Sequence, residues 1–227
     1  MKTDRLAIRV TFTEPVLGSA SGNPQIHEEF IAAKAAKDAG PRKDDAVKHA
    51  AEEVKAVTPL TEEQIEEQIE AKSTIFPVDK KGLFIWDYAV RGMIKEALRT
   101  LIDLGESKIS KWQYRRVIDS TLFAYPRKLY LHMPDSNSIW QAPTDTLQRS
   151  LRVNTLQGER IALANSQLLP AGTWFEAELE LLLPAEKSNP QLLTMKLVKE
   201  CLDYGKYKGM LQWRSGGFGK FSYREIK

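Results

Sequence analysis

Apolar and polar positions alternate near the start of the chain. Leu6, Ile8, Val10 and Phe12 fall on one side and Ala7, Arg9 and Thr11 on the other, the two-residue period of a half-buried strand. Glu14-Pro15-Val16-Leu17-Gly18 ends the run, and Ser19-Ala20-Ser21-Gly22-Asn23-Pro24 has the composition of a loop. Trp174 to Leu183 repeats the alternation most clearly, with Phe175, Ala177, Leu179 and Leu181 against Glu176, Glu178 and Glu180. Elsewhere the period changes. Val90, Met93, Ile94, Ala97, Leu101 and Leu104 recur at helical spacing, with Asp87 as the expected N-cap and Gly105 as the stop. Leu193, Leu197, Val198, Cys201 and Leu202 form a second helical stripe, expected to start at Asn189 and Pro190 and to end at Gly205.

Shorter elements fill the remainder. Phe76-Pro77 opens an extended segment, Lys80-Lys81-Gly82 is a turn, and Leu83-Phe84-Ile85 is a short apolar strand. Leu129 to Met133 reads as a strand, 134–148 as a polar loop, Arg149 to Leu163 as a strand-turn pattern around Gly158, and Pro170-Ala171-Gly172 as a turn. A last strand runs from Phe221 to Tyr223. Residues 25–75 read as a mostly helical insertion: alanine is abundant, glutamate pairs recur, and Thr61-Glu62-Glu63-Gln64 resembles a capped helix start. Its stripe, Ile65 and Ile69, is too narrow to build a core, so the segment must lean on something else or be a flexible charged loop. The chain therefore divides into a core of 1–24 and 76–227 and an acidic insertion of 25–75. The element order predicts an α+β fold, helices on one face of an antiparallel sheet.

Composition narrows the function. The 227 residues suit one domain with a large insertion. No apolar run approaches the roughly 20 residues of a membrane helix, and Met1-Lys2-Thr3-Asp4 lacks the apolar stretch of a signal peptide. The single cysteine, Cys201, has no internal disulfide partner, and a cytoplasmic location is expected. The net charge of +3 is unevenly spread: residues 28–70 carry −6, which leaves +9 on the rest. That balance favours a polyanionic partner, although many soluble domains carry as much charge.

Two segments carry candidate binding chemistry. Trp213-Arg214-Ser215-Gly216-Gly217-Phe218-Gly219-Lys220 combines glycines that let a backbone approach a ligand, cations for phosphate, and rings for stacking on bases. It lacks the Lys-Ser/Thr ending of a P-loop, and a tight packing turn would explain it equally well. Residues 107–128 hold Lys108, Lys111, Arg115, Arg116, Arg127 and Lys128 against one acid, Asp119, with Trp112, Tyr114 and Tyr125 interleaved. The alternative there is a solvated helical face with its aromatics in the core. Catalytic constellations are poor. His27, His49 and His132 are scattered, and no metal-ligand spacing occurs. His27 with Glu28 is the candidate general-base pair, and a surface histidine is the plainer reading. No cofactor or metal is expected.

Taken in order, these pieces resemble the RAMP superfamily of CRISPR-associated proteins, specifically its guide-RNA backbone subunits. The first strand leads into Gly18-Ser19-Ala20-Ser21. Phe84 to Arg99 resembles the family's glycine-serine helix start, Leu169 to Glu176 its Pro-x-Gly-Thr strand lead-in, and the last helix with the Gly-rich loop its C-terminal signature. The chain also resembles short RAMP-like proteins carried by phages and prophages. The resemblance implies a ferredoxin-like (RRM-like) core and a noncatalytic protein that holds single-stranded RNA or DNA and assembles side by side along it. Its partners would be copies of itself or other RAMP-type subunits. The nucleic-acid-binding residues expected on this reading are Ser19, Ser21, Arg91, Lys95, Lys111, Arg115, Arg116, Trp213, Arg214, Gly216, Gly217, Phe218, Gly219 and Lys220. Trp86-Asp87-Tyr88-Ala89 replaces the family's Pro-Gly-Ser-Ser, and Asn23 to Glu29 lacks the aspartate of cleaving subunits. A metal-independent endoribonuclease using His27 or Glu28, and a mimic that poisons an effector complex, remain the alternatives.

Overall fold

The computed structural model describes residues 2–21, 71–155, 158–183 and 192–226. The helices expected within 25–70, the His27–Glu28 pair and the Asn189–Pro190 helix start lie outside them. The chain divides into two compact units. The first contains Met1–Val16, Phe84–Trp140 and Pro170–Lys227, and the second Leu17–Leu83 and Gln141–Leu169.

The first unit is built on β1 (Lys2–Phe12), β7 (Leu122–Tyr125), β11 (Trp174–Leu183) and β12 (Phe221–Glu225), in the order β12-β1-β11-β7 with every neighbour antiparallel. Helix α1 (Asp87–Asp103) and the short α2 (Tyr114–Thr121) lie between β1 and β7 in sequence, and α3 (Met195–Asp203) lies between β11 and β12. Each strand pair joined through a helix is thus separated by one other strand, and the two crossovers interleave. The alternation read from the sequence decides which face is covered. Leu6, Ile8 and Val10 stand opposite Leu179, Ala177 and Phe175, and Phe12 opposite Phe221, on the buried side. Val90, Met93, Ile94, Ala97 and Leu98 of α1 and Leu197, Val198, Cys201 and Leu202 of α3 are buried as well, the two helices packing on each other, α1 on β7 and α3 on β12. Each large side chain buried there contributes roughly 1.5–3 kcal/mol.

Several local expectations change. Asp87 is the first residue of α1 rather than its cap. Trp86 is the N-cap and offers no side-chain bond, and the Asp87 carboxylate is engaged by Arg91 and Arg127 instead. Helix α3 starts after Thr194, whose Oγ1 accepts from the Leu197 amide at 3.2 Å. The helix ends at Asp203, next to the expected stop at Gly205, and Gly205 itself opens a further turn, α4 (Gly205–Lys208), where a side chain would enter the buried ring of Phe221. Gly209, at φ 74°, ends that turn.

In the second unit, β9 (Asp145–Thr155) and β10 (Gly158–Leu169) form the hairpin foreseen around Gly158, but β9 begins inside the expected polar loop. Residues Ala71–Ile75 are a strand, β4, running parallel to β10, and not the end of a helical insertion. Backbone pairing with β10 outweighs the segment's lack of an apolar alternation. Two short strands, β2 (Val16–Leu17) and β3 (Ala20–Ser21), complete this sheet. Gly18 lies against the Ile75 carbonyl, where a Cβ would not fit. The hairpin of β5 (Val78–Asp79) with β6 (Gly82–Trp86) turns at Lys80–Lys81, as expected, and β6 continues to pair β8 (Lys128–Tyr130).

Cys201 is fully buried on α3, and burial pushes its thiol up to about 12, with Glu200 adding to the shift. Its folded value exceeds the unfolded one, so the linked stability is complete below about 9 and is lost as pH rises toward 12. Native protein should therefore react with a thiol reagent only at the rate at which it unfolds. Stoichiometric labelling within seconds at pH 8 would contradict this placement.

Candidate nucleic-acid interface

The Gly-rich loop is tied into the fold. Trp213 and Phe218 stack on each other, centroids 5.1 Å apart and planes at 17°. A Cβ on Gly216 would stand 2.6 Å from the Trp213 ring. The Gly219 amide donates to the Pro15 carbonyl at 2.8 Å, and its own carbonyl accepts from the Met210 amide at 2.9 Å. Gly219 has φ 70°, and a side chain on it would collide with the Met210 carbonyl oxygen. Arg214 forms an ion pair with Glu96 of α1, which Lys208 also approaches at 3.8 Å. The Lys220 carbonyl accepts from the Thr13 and Glu14 amides. Trp213, Arg214, Gly216, Phe218 and Gly219 therefore have packing roles. Gly217, at φ 89° with open space around it, and the half-exposed Lys220 ammonium are the parts still available to a ligand.

The basic segment is arranged differently. Ile109, Tyr114 and Ile118 turn inward and are buried, which anchors the stretch around α2. The Ser110 carbonyl accepts from the Gln113 and Tyr114 amides, and this turn holds Trp112 out in solvent, 93% exposed. Lys108 and Arg116 are exposed, with no partner among the described residues. Arg115 is exposed, donates to the Tyr114 hydroxyl at 3.0 Å and lies 5.7 Å from the centroid of that ring. Arg115 and Arg116 thus share a short surface stretch with Lys108 and Trp112. Other expected contacts are engaged elsewhere. Lys95 pairs with Asp119, and Arg91 pairs with Asp87 at 3.3 Å. Lys111 meets Asp103 at 2.9 Å. Hydrogen bonds from Lys111 first and Arg99 second hold that carboxyl below its usual range. Ser19 is exposed and Ser21 half-buried, both in the second unit.

No known protein family matches the sequence, and no curated protein matches it either. Among solved structures, a chain of "Type IV-B CRISPR Complex" is similar at a TM-score of 0.43 and 9% identity, with 98% of this chain and 90% of that chain covered.

The face of the four-stranded sheet opposite the buried one carries Glu176, Glu178 and Glu180 in line on β11, answered by Arg9 and Arg5 of β1. Phosphates would meet three carboxylates there, so the middle of this face suits a polyanion less well than the Trp112 surface. Among the described residues no group of His, Cys, Asp and Glu is placed to hold a metal ion, and no helix is long and apolar enough to cross a membrane.

Proposed function

We propose that this chain is a noncatalytic single-stranded nucleic-acid-binding protein of the RAMP type on a ferredoxin-like core. It takes RNA ahead of DNA on the surface around Trp112 and assembles side by side along the strand. The observation that carries the reading is the 93% exposed Trp112 indole, with exposed Lys108, Arg115 and Arg116 within four residues of it in sequence. A tryptophan left in water forgoes a large burial gain, whereas a base stacked on it contributes roughly 1–3 kcal/mol. The exposed cations of the same stretch supply the phosphate contacts that dominate affinity. The interleaved strand order β12-β1-β11-β7 supports the ferredoxin-like part of the reading.

The test is binding of labelled single-stranded RNA and DNA 20-mers across a salt series. Trp112→Ala should weaken binding by about 5- to 100-fold. The Lys108→Ala/Arg115→Ala/Arg116→Ala variant should reduce the salt slope by about 2, near 0.7 for each phosphate left without its cation. Arg214→Ala should change the slope little, because that guanidinium already pairs with Glu96. A wild-type protein that binds neither strand, or binds with no salt dependence, ends this reading. Metal-free RNA cleavage abolished in His27→Ala would replace it with the endoribonuclease, and capture of effector subunits without RNA would replace it with the mimic.

A further inference from the structure

A pocket of about 500 Å3 lies within the first unit on the open side of its sheet, in the size range of small-ligand sites. Arg9 and Thr11 of β1, Arg224 of β12, Trp174 of β11 and the turn carrying Asp135 and Asn137 line it. Its floor is fixed before any ligand arrives. The Trp174 indole N–H donates to the Met133 and Ser136 carbonyls, both at 3.1 Å, and so pins the turn. His132 stacks on the indole at 4.1 Å, with its Nδ1 2.9 Å from the Asn137 carbonyl oxygen. The Arg9 guanidinium lies 3.9 Å from the indole centroid and gives Nε and Nη2 to Glu176 Oε1.

One arginine of the pocket lining is left without a carboxylate opposite it. Arg9 and Arg224 stand directly opposite each other across β1 and β12, and like charges in that position destabilise a sheet. Glu176, opposite Arg9 on β11, answers one of the two. Arg224 is exposed and has no partner among the described residues. The Thr11 hydroxyl and the Asn137 amide also line the pocket without a partner among those residues. Asp135, at φ 53°, sets a carboxylate on the same wall. A carboxylate repels phosphate but accepts readily from hydroxyl groups. We infer that this pocket binds a sugar phosphate unit, with the phosphate on Arg224 and on the Nη1 of Arg9 that Glu176 does not take, and the sugar hydroxyls donating to Asp135. Planar guanidinium groups suit phosphate oxygens geometrically as well as by charge. The unit could be a free nucleotide or one residue of a strand. The inference does not rest on the Trp112 surface, which uses other residues.

The test uses the full chain in calorimetric titrations with AMP, CMP, adenosine, inorganic phosphate, and an RNA decamer, whose residues keep their 2′-hydroxyls, with and without a 5′-phosphate. The inference expects AMP and CMP, or the decamers, to bind, with adenosine about tenfold or more weaker. Arg224→Ala should weaken the bound probe by about tenfold or more, and Asp135→Asn should weaken the nucleotide while leaving inorganic phosphate unchanged or tighter. A mononucleotide that binds as tightly as the decamers identifies a free nucleotide as the source. Decamers that bind tenfold more tightly, with the Arg224→Ala effect confined to them, identify a strand. Adenosine binding as well as AMP, no change in Arg224→Ala with any probe, or no binding of any probe would each overturn the inference. Arg224 is exposed on an edge strand, so its removal leaves the core intact, and an unchanged melting curve verifies this. Trp112→Ala is titrated with the same decamers. Weaker binding there, with Arg224→Ala unaffected, rejects the pocket and keeps the proposed function, and the opposite result does the reverse.

Discussion

Gly219→Ala should destabilise the protein by about 3–4 kcal/mol, against roughly 1–2 kcal/mol for Gly217→Ala two residues earlier. Both positions have positive φ, 70° and 89°, so both variants carry the strain of a left-handed residue with a side chain. Only at Gly219 does the new methyl also run into backbone, the Met210 carbonyl oxygen, where no side chain can swing aside. For a chain of 227 residues the difference corresponds to a fall in melting temperature of about 10 °C for the first variant and a few degrees for the second. Thermal melts followed by circular dichroism make the comparison. Equal shifts would mean that the loop can open at Gly219, and that its packing role has been overstated.

The second large effect is expected at Asp87→Ala, about 2–3 kcal/mol in urea unfolding. Asp87 is 7% exposed, and its two oxygens approach Arg91 at 3.3 Å and Arg127 at 3.6 Å. Removing it leaves two partly buried guanidinium groups facing each other beside the Trp86 ring, which Arg127 overlies at 4.9 Å. Breaking a fully buried pair costs about 3–5 kcal/mol, and the residual exposure of both arginines lowers the figure here. Asp119→Ala removes the exposed partner of Lys95 and serves as the comparison, with an expected loss below about 1 kcal/mol. If the two variants unfold at the same urea concentration, the Asp87 cluster contributes no more than a surface ion pair.

The parts of the fold that were legible in the sequence are those where one face is buried and the other is wet. Trp174 to Leu183 and Leu6 to Phe12 announce themselves because solvent enforces polarity on every second residue, and α1 does so at its own period. Strands held mainly by backbone pairing leave no such imprint, which is why Ala71–Ile75 and the first residues of β9 read as helix and loop. The start of α3 was misplaced because Pro190 is a strong local signal, whereas the Thr194 hydroxyl becomes a cap only when the Leu197 amide is brought to it. Within the candidate site, composition identified cations and rings but could not sort them. Arg214 and Arg116 look alike in sequence, yet one faces Glu96 on a neighbouring helix and the other faces solvent. Glycine has the same ambiguity: the freedom that admits a phosphate also admits another stretch of main chain, and Gly219 is used in the second way. The pocket of Arg9, Arg224 and Asp135 could not be seen because its residues come from three distant segments that only the strand order joins.

That strand order also constrains how the protein can be made. β1 is the first of the described strands to leave the ribosome, and its two neighbours are among the last, at Trp174–Leu183 and Phe221–Glu225. Translation at roughly 5–20 residues per second takes about 8–30 s to cross the intervening 160 or so residues. Throughout that interval both edges of the strand lack their pairing partners and are open to another nascent chain. Arg5 and Arg9 interrupt the segment, and charges inside an unpaired strand are a known deterrent to edge-to-edge association. The two arginines that later meet glutamates on β11 thus have an earlier duty, keeping the newborn strand solitary until its partners exist.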